Sequence, residues 1–196
     1  MNSIIILKRI VDAITFGSLL LLLLVPEAKA LLWEVSLIAV FLLMCIRPLN
    51  DLFPKVGFIR FMPLRKNLGI LSSVIVVGFG IQHYIMLGPE FLSTYFSWSY
   101  WSLQGGLFWA HLGELTGAVL LVTSNRLSMR LLKRNWKKVQ RLSYIYFFSG
   151  AWYVFSAFQR TFGLIAIIIV LELTLFAFLK KRVFTLLDRQ EQIVDG

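Results

Sequence analysis

Apolar residues in this chain come in blocks of sixteen to twenty separated by clusters of charge, rather than alternating with polar residues. A helix needs about 20 mostly apolar residues to cross a bilayer core. Six blocks approach that length: residues 10–25, 31–46, 68–87, 105–123, 139–157 and 162–179. The pattern predicts an all-α integral membrane protein, a bundle of six transmembrane helices forming one domain over residues 1–196. The first block also has the form of a secretory signal, with Lys8 and Arg9 ahead of an apolar run that closes near Pro26, Ala28 and Ala30. Asp12 near its start and the alternation of loop charge favour a retained first helix.

Composition agrees with the pattern: 58% of residues are hydrophobic, against roughly 45–50% in soluble domains. The net charge of +10 changes the picture more. Arg47, Lys55, Arg60, Arg65 and Lys66 follow the second block, and Arg126, Arg130, Lys133, Arg134, Lys137, Lys138 and Arg141 follow the fourth. The connection after the third carries only Glu90, and that after the fifth only Arg160. Basic residues collect on cytoplasmic loops, so both termini are expected on the cytoplasmic side. Membrane lipids with anionic headgroups are the expected contacts of these loops, and nucleic acid is not. The lone cysteine, Cys45, leaves no disulfide or thiolate metal centre to form within the chain.

Small residues recur at helical spacing in the third block (Gly69, Ser73, Val76, Gly80, His83, Leu87) and in the fourth (Gly106, Ala110, Gly113, Gly117). Close helix packing is the plain reading; room for a flat cofactor is the functional one. Between these blocks Phe91, Tyr95, Phe96, Trp98, Tyr100 and Trp101 form an aromatic cluster, either an interfacial belt or a docking surface.

Ionisable groups inside apolar blocks are costly, and each marks a candidate site. His83 and His111, the two histidines of the chain, both fall near the outer ends of their helices, with Glu114 one turn from His111 and Glu172 alone in the last block. Two imidazoles across a bundle can ligate one haem iron. Equally, each can hydrogen-bond a neighbouring helix, with Glu114 orienting His111.

The stretch Thr123-Ser124, Arg130, Leu132, Trp136, Gln140-Arg141-Leu142, Tyr144 resembles the ferric reductase-like transmembrane domain family. Within it, the likeness is greatest to the haem-binding membrane subunits of periplasmic methionine sulfoxide reductase systems. Ile46-Arg47-Pro48-Leu49 and Arg65-Lys66-Asn67-Leu68-Gly69-Ile70 extend the resemblance upstream. It implies a six-helix protein of the bacterial cytoplasmic membrane that moves electrons from a quinol or partner flavoprotein, through b-type haem, to an extracytoplasmic acceptor. Where the family has fifth-helix histidines, this chain has Gln140 and, thirteen residues on, Tyr153. His83 stands about one turn later than the family's third-helix histidine. The implied cofactor site is therefore drawn from His83, His111, Tyr153 and Gln140, with His83 and His111 as iron ligands. Seventeen residues follow Leu179 and no glycine-rich phosphate loop is present, so a quinone or a protein partner is expected to supply the electrons. The replaced histidines equally suggest a non-catalytic scaffold or partner subunit. No Ser, His and acid set at recognisable spacing points to hydrolytic chemistry.

Overall fold

The computed structural model describes residues 2–99, 101–102 and 106–194, with no strand among them. Tyr100 and the start of the fourth predicted span at residue 105 lie outside the described residues. The helices are α1 (Asn2–Leu24), α2 (Lys29–Leu52), α3 (Leu64–Leu87), α4 (Glu90–Tyr95), α5 (Leu107–Thr123), α6 (Arg126–Leu132), α7 (Trp136–Val139), α8 (Leu142–Phe158) and α9 (Thr161–Val194). Among the described residues three segments are long and apolar enough to cross a membrane: Lys29–Leu52, Leu64–Leu87 and Thr161–Val183. The number rises to four when Leu107–Thr123 and Leu127–Val139, bent by 90° from each other, are taken as one broken span. Helices α5 and α8 have 17 residues each, about 26 Å at ~1.5 Å per residue, slightly less than a hydrocarbon core of about 30 Å. Lys8, Arg9 and Asp12 shorten the apolar part of α1.

Contacts between side chains give the direction of each long helix. On α1 and α3, Asp12 accepts a hydrogen bond from Asn67, and Gln82 Nε2 donates to the Leu22 carbonyl at 3.4 Å, so the two run parallel. Helix α2 runs against α3, pairing Ser36 with Ser72 and Leu43 with Gly69. Helix α5 runs against α8, where the glycine stripe meets Ser156, Ser149 and Tyr146 in turn. A Cβ at Gly117 would lie 3.0 Å from the Tyr146 ring, so this stripe serves close packing. After the turn at Gln159 (φ +53°), α9 returns along α8 and α2. Its Lys180 Nζ donates to the Leu52 carbonyl at 2.7 Å. A cation and a donor thus meet carbonyls that the α2 C-terminus leaves open.

The strongly basic connections after α2 and α5 share one end of the bundle with Lys180, while the α1–α2, α3–α5 and α8–α9 connections share the other. At the basic end Trp136 Nε1 donates to the Thr123 carbonyl at 3.0 Å, tying α7 back to the end of α5. The core lies between α2, α3, α5 and α8, with Phe147, Ile75, Val76 and Val154 fully enclosed.

Candidate functional site

Gly106, at φ +71°, turns the chain into α5 at the less charged end of the bundle. Three residues apart on that helix, His111 and Glu114 fall on one side. Their Nδ1 and Oε2 atoms are 3.1 Å apart, and the residues are only 4% and 8% exposed. The aromatic segment after α3 closes over them. Tyr95, at the end of α4, brings its phenol within electrostatic reach of the Glu114 carboxylate and sets its ring edge-on to the His111 imidazole at 4.7 Å. Trp101 lies 5.7 Å from the same imidazole and donates its Nε1 to the Tyr95 carbonyl at 2.7 Å. Burial, then the neighbouring Glu114 carboxylate, holds the Tyr95 phenol well above its ordinary value. A buried acid is tolerated when polar partners surround it. Here one helix and one loop supply them.

His83 reaches the same end of the bundle from α3. It shares a helical face with Val76 and Gly80, is exposed at the rim, and lies within electrostatic reach of Glu114, Lys29 and His111. Tyr153 turns towards α2. Its ring packs 5.1 Å from Trp33, which in turn stacks on Phe79 at 5.0 Å with the planes 8° apart. Gln140 precedes α8 at the opposite end, thirteen residues from Tyr153, or roughly 20 Å along a helix. The structure thus brings His83 and His111 to one end, joins Tyr153 to an aromatic stack, and leaves Gln140 far from all three.

A second buried polar group lies deeper and is not visible as a motif in the sequence. Ser72 Oγ is 2.6 Å from Tyr146 Oη and 2.7 Å from Ser36 Oγ, linking α2, α3 and α8. Beside it a gap of about 10 Å³ is lined by Trp33, Ser36, Val76, Gly113, Tyr146 and Gly150. That is the space of about one water molecule. A larger opening of about 300 Å³ lies on the α2–α9 flank, where Arg160 Nε stands 3.5 Å from Glu34 Oε1, and no histidine lines it. Ser36, Ser72 and Tyr146 come from three separate apolar runs and form no spaced motif, so only their separate polarity signals them. Tyr95 and Trp101 read in the sequence as part of an interfacial belt, a role that the exposed Phe96 and Trp98 do fit. Comparison of the chain with protein-family models, with curated proteins and with solved structures finds no match in any of the three.

Proposed function

We propose that this chain is a six-span membrane subunit of ferric reductase-like architecture in which packed side chains have taken the place of the haem, leaving a scaffold that acts through a partner protein. The observation that carries this reading is the stack of Trp33 on Phe79 and against Tyr153. Phe79 lies one turn before His83, where the resemblance expects a third-helix ligand, and Tyr153 occupies the position of a fifth-helix ligand. Trp33 fills the space between them, and the neighbouring gap of about 10 Å³ is far below the roughly 300 Å³ and more of a small-molecule site. With Gln140 at the far end, the residues present do not fit a b-type haem held in the family's manner, and no step is routed through one.

Six spans are supported by the alternating directions of the long helices, since 17 residues is at the lower limit of a spanning helix, about 17–25. The gathering of basic loops at one end supports cytoplasmic termini in a bacterial cytoplasmic membrane.

One observation favours a second reading, the electron carrier. His111 has its Nδ1 against a carboxylate, the arrangement that orients a metal-ligating imidazole, and His83 stands at the same end. In that reading a b-type haem or a quinone near the outer leaflet would supply single-electron transfer between a quinol or flavoprotein and an extracytoplasmic acceptor. Oxidised and dithionite-reduced visible spectra of chain purified from a haem-replete host separate the two. The scaffold reading expects no Soret band in the wild type and a b-type spectrum in the combined variant Trp33→Gly, Phe79→His, Tyr153→His. A wild-type Soret band that disappears in His111→Ala establishes the carrier instead.

A further inference from the structure

Helix α9 has two unlike faces. Gly163, Ala166, Val170 and Ala177 are buried against the bundle, and a Cβ at Gly163 would lie 2.3 Å from the Ala151 carbonyl oxygen. Glu172 comes nine residues after Gly163, two and a half turns at ~3.6 residues per turn, and so points directly away from α8. Around it Ile165, Ile168, Leu175, Phe176 and Leu179 form an exposed apolar stripe. Only 17% of the α9 apolar window is buried, against 50% for α2 and 44% for α3.

The depth of Glu172 makes this face unusual. The spanning part of α9 is Thr161–Val183, and Glu172 is its middle residue, about 16 Å from either end at ~1.5 Å per residue. Half of a bilayer core is about 15 Å. Lipid gives a carboxylate at that depth neither a counter-charge nor a donor. Among the described residues no ion pair or hydrogen bond reaches Glu172 from within the chain.

We propose that the outer face of α9 is a docking surface for a transmembrane helix of another protein, apolar along its length and carrying a lysine or arginine at mid-membrane depth. Charge complementarity selects this occupant. No Lys or Arg of this chain lies in the middle of an apolar block, so a second copy would bring only another Glu172 to that depth. The surface does not depend on whether the bundle carries haem, because it lies on the far side of α9 from every residue considered for that role.

The test uses the full chain, fluorescently labelled in phosphatidylcholine vesicles, with synthetic single-span leucine-alanine peptides: one with a central lysine, one with leucine there and, for the charge-reversed chain, one with glutamate. Energy transfer is expected to show at least tenfold tighter association of the lysine peptide with wild type than with Glu172→Gln. The leucine peptide should not distinguish the two chains. Glu172→Lys is expected to lose the lysine peptide and gain a matching glutamate peptide, which separates charge pairing from a folding defect. Equal association of the lysine and leucine peptides with wild type overturns the proposal and leaves Glu172 a lipid-facing acid. Dimerisation of the chain that depends on Glu172 also overturns it, assigning the face to a second copy.

Discussion

Two acids lie deepest in the apolar sequence of this chain, Glu114 on α5 and Glu172 on α9, and their surroundings could hardly differ more. Glu114 is buried, with His111 on its own helix, and a loop from across the bundle brings Tyr95 to it. Glu172 projects from the middle of a barely covered helix with isoleucine, leucine and phenylalanine on either side. A carboxylate in a membrane is costly in both places. In the first the chain satisfies it internally and spends an entire loop doing so; in the second it leaves the task to whatever lies alongside. Buried polar groups describe what a protein does for itself, and exposed ones at bilayer depth describe what it expects of others.

The sharpest way to break the comparison is to remove each acid in turn from the isolated chain. Glu114→Ala strips a buried partner from both His111 and Tyr95 and is expected to lower unfolding stability in detergent by about 3–5 kcal/mol. Glu172→Ala, with no partner to lose, is expected to change it by no more than about 0.5 kcal/mol. Equal losses in thermal unfolding would mean that Glu172 has an internal partner after all.

The two faces of α9 offer a test of the next size. Gly163→Ala drives a methyl group into the Ala151 carbonyl and is expected to cost about 1–3 kcal/mol. Ile165→Ala, two residues on and exposed, is expected to cost a small fraction of that in the same melts. A large effect at Ile165 would show that the outer face is already covered in the detergent-solubilised protein.

How far the sequence anticipates these differences depends on the distance over which the physics acts. Apolar blocks and basic loops are local properties, and each of the six blocks falls largely within a helix, three of them among the described residues long and apolar enough to cross a membrane. Their ends shift because helix propagation continues past the apolar run: α2 begins at Lys29 and runs through Pro48 to Leu52, and α9 continues to Val194. His111 with Glu114 is legible because three residues is one helical turn. The Ser36, Ser72 and Tyr146 cluster is not, since its members are 36 and 74 residues apart and meet only once three helices pack. The same limit hides the partner of Tyr95. Phe96 and Trp98 beside it remain exposed, and the aromatic spacing does not reveal which ring turns inward. Tyr146→Phe measures the hidden cluster directly: Ser72 Oγ loses a 2.6 Å partner, and an expected loss of about 1–2 kcal/mol should register as a lower unfolding midpoint.

The smallest effect concerns the lid that distinguishes Glu114 from Glu172. Tyr95→Phe keeps the ring against His111 and removes only the hydroxyl, leaving Glu114 with His111 as partner, so a loss of about 1 kcal/mol is expected. Its pH dependence is more telling than its size. Burial, followed by the neighbouring Glu114 carboxylate, raises the Tyr95 phenol above its ordinary value of 10.0. The folded protein therefore keeps a proton that the unfolded chain releases near that value. This contribution is complete below pH 10 and is lost as the pH climbs towards the folded-state value. Wild-type stability is accordingly expected to fall more steeply than that of Tyr95→Phe above pH 10. Parallel slopes would place the hydroxyl in water and open the lid, and Glu114 would then be as poorly provided for within the chain as Glu172.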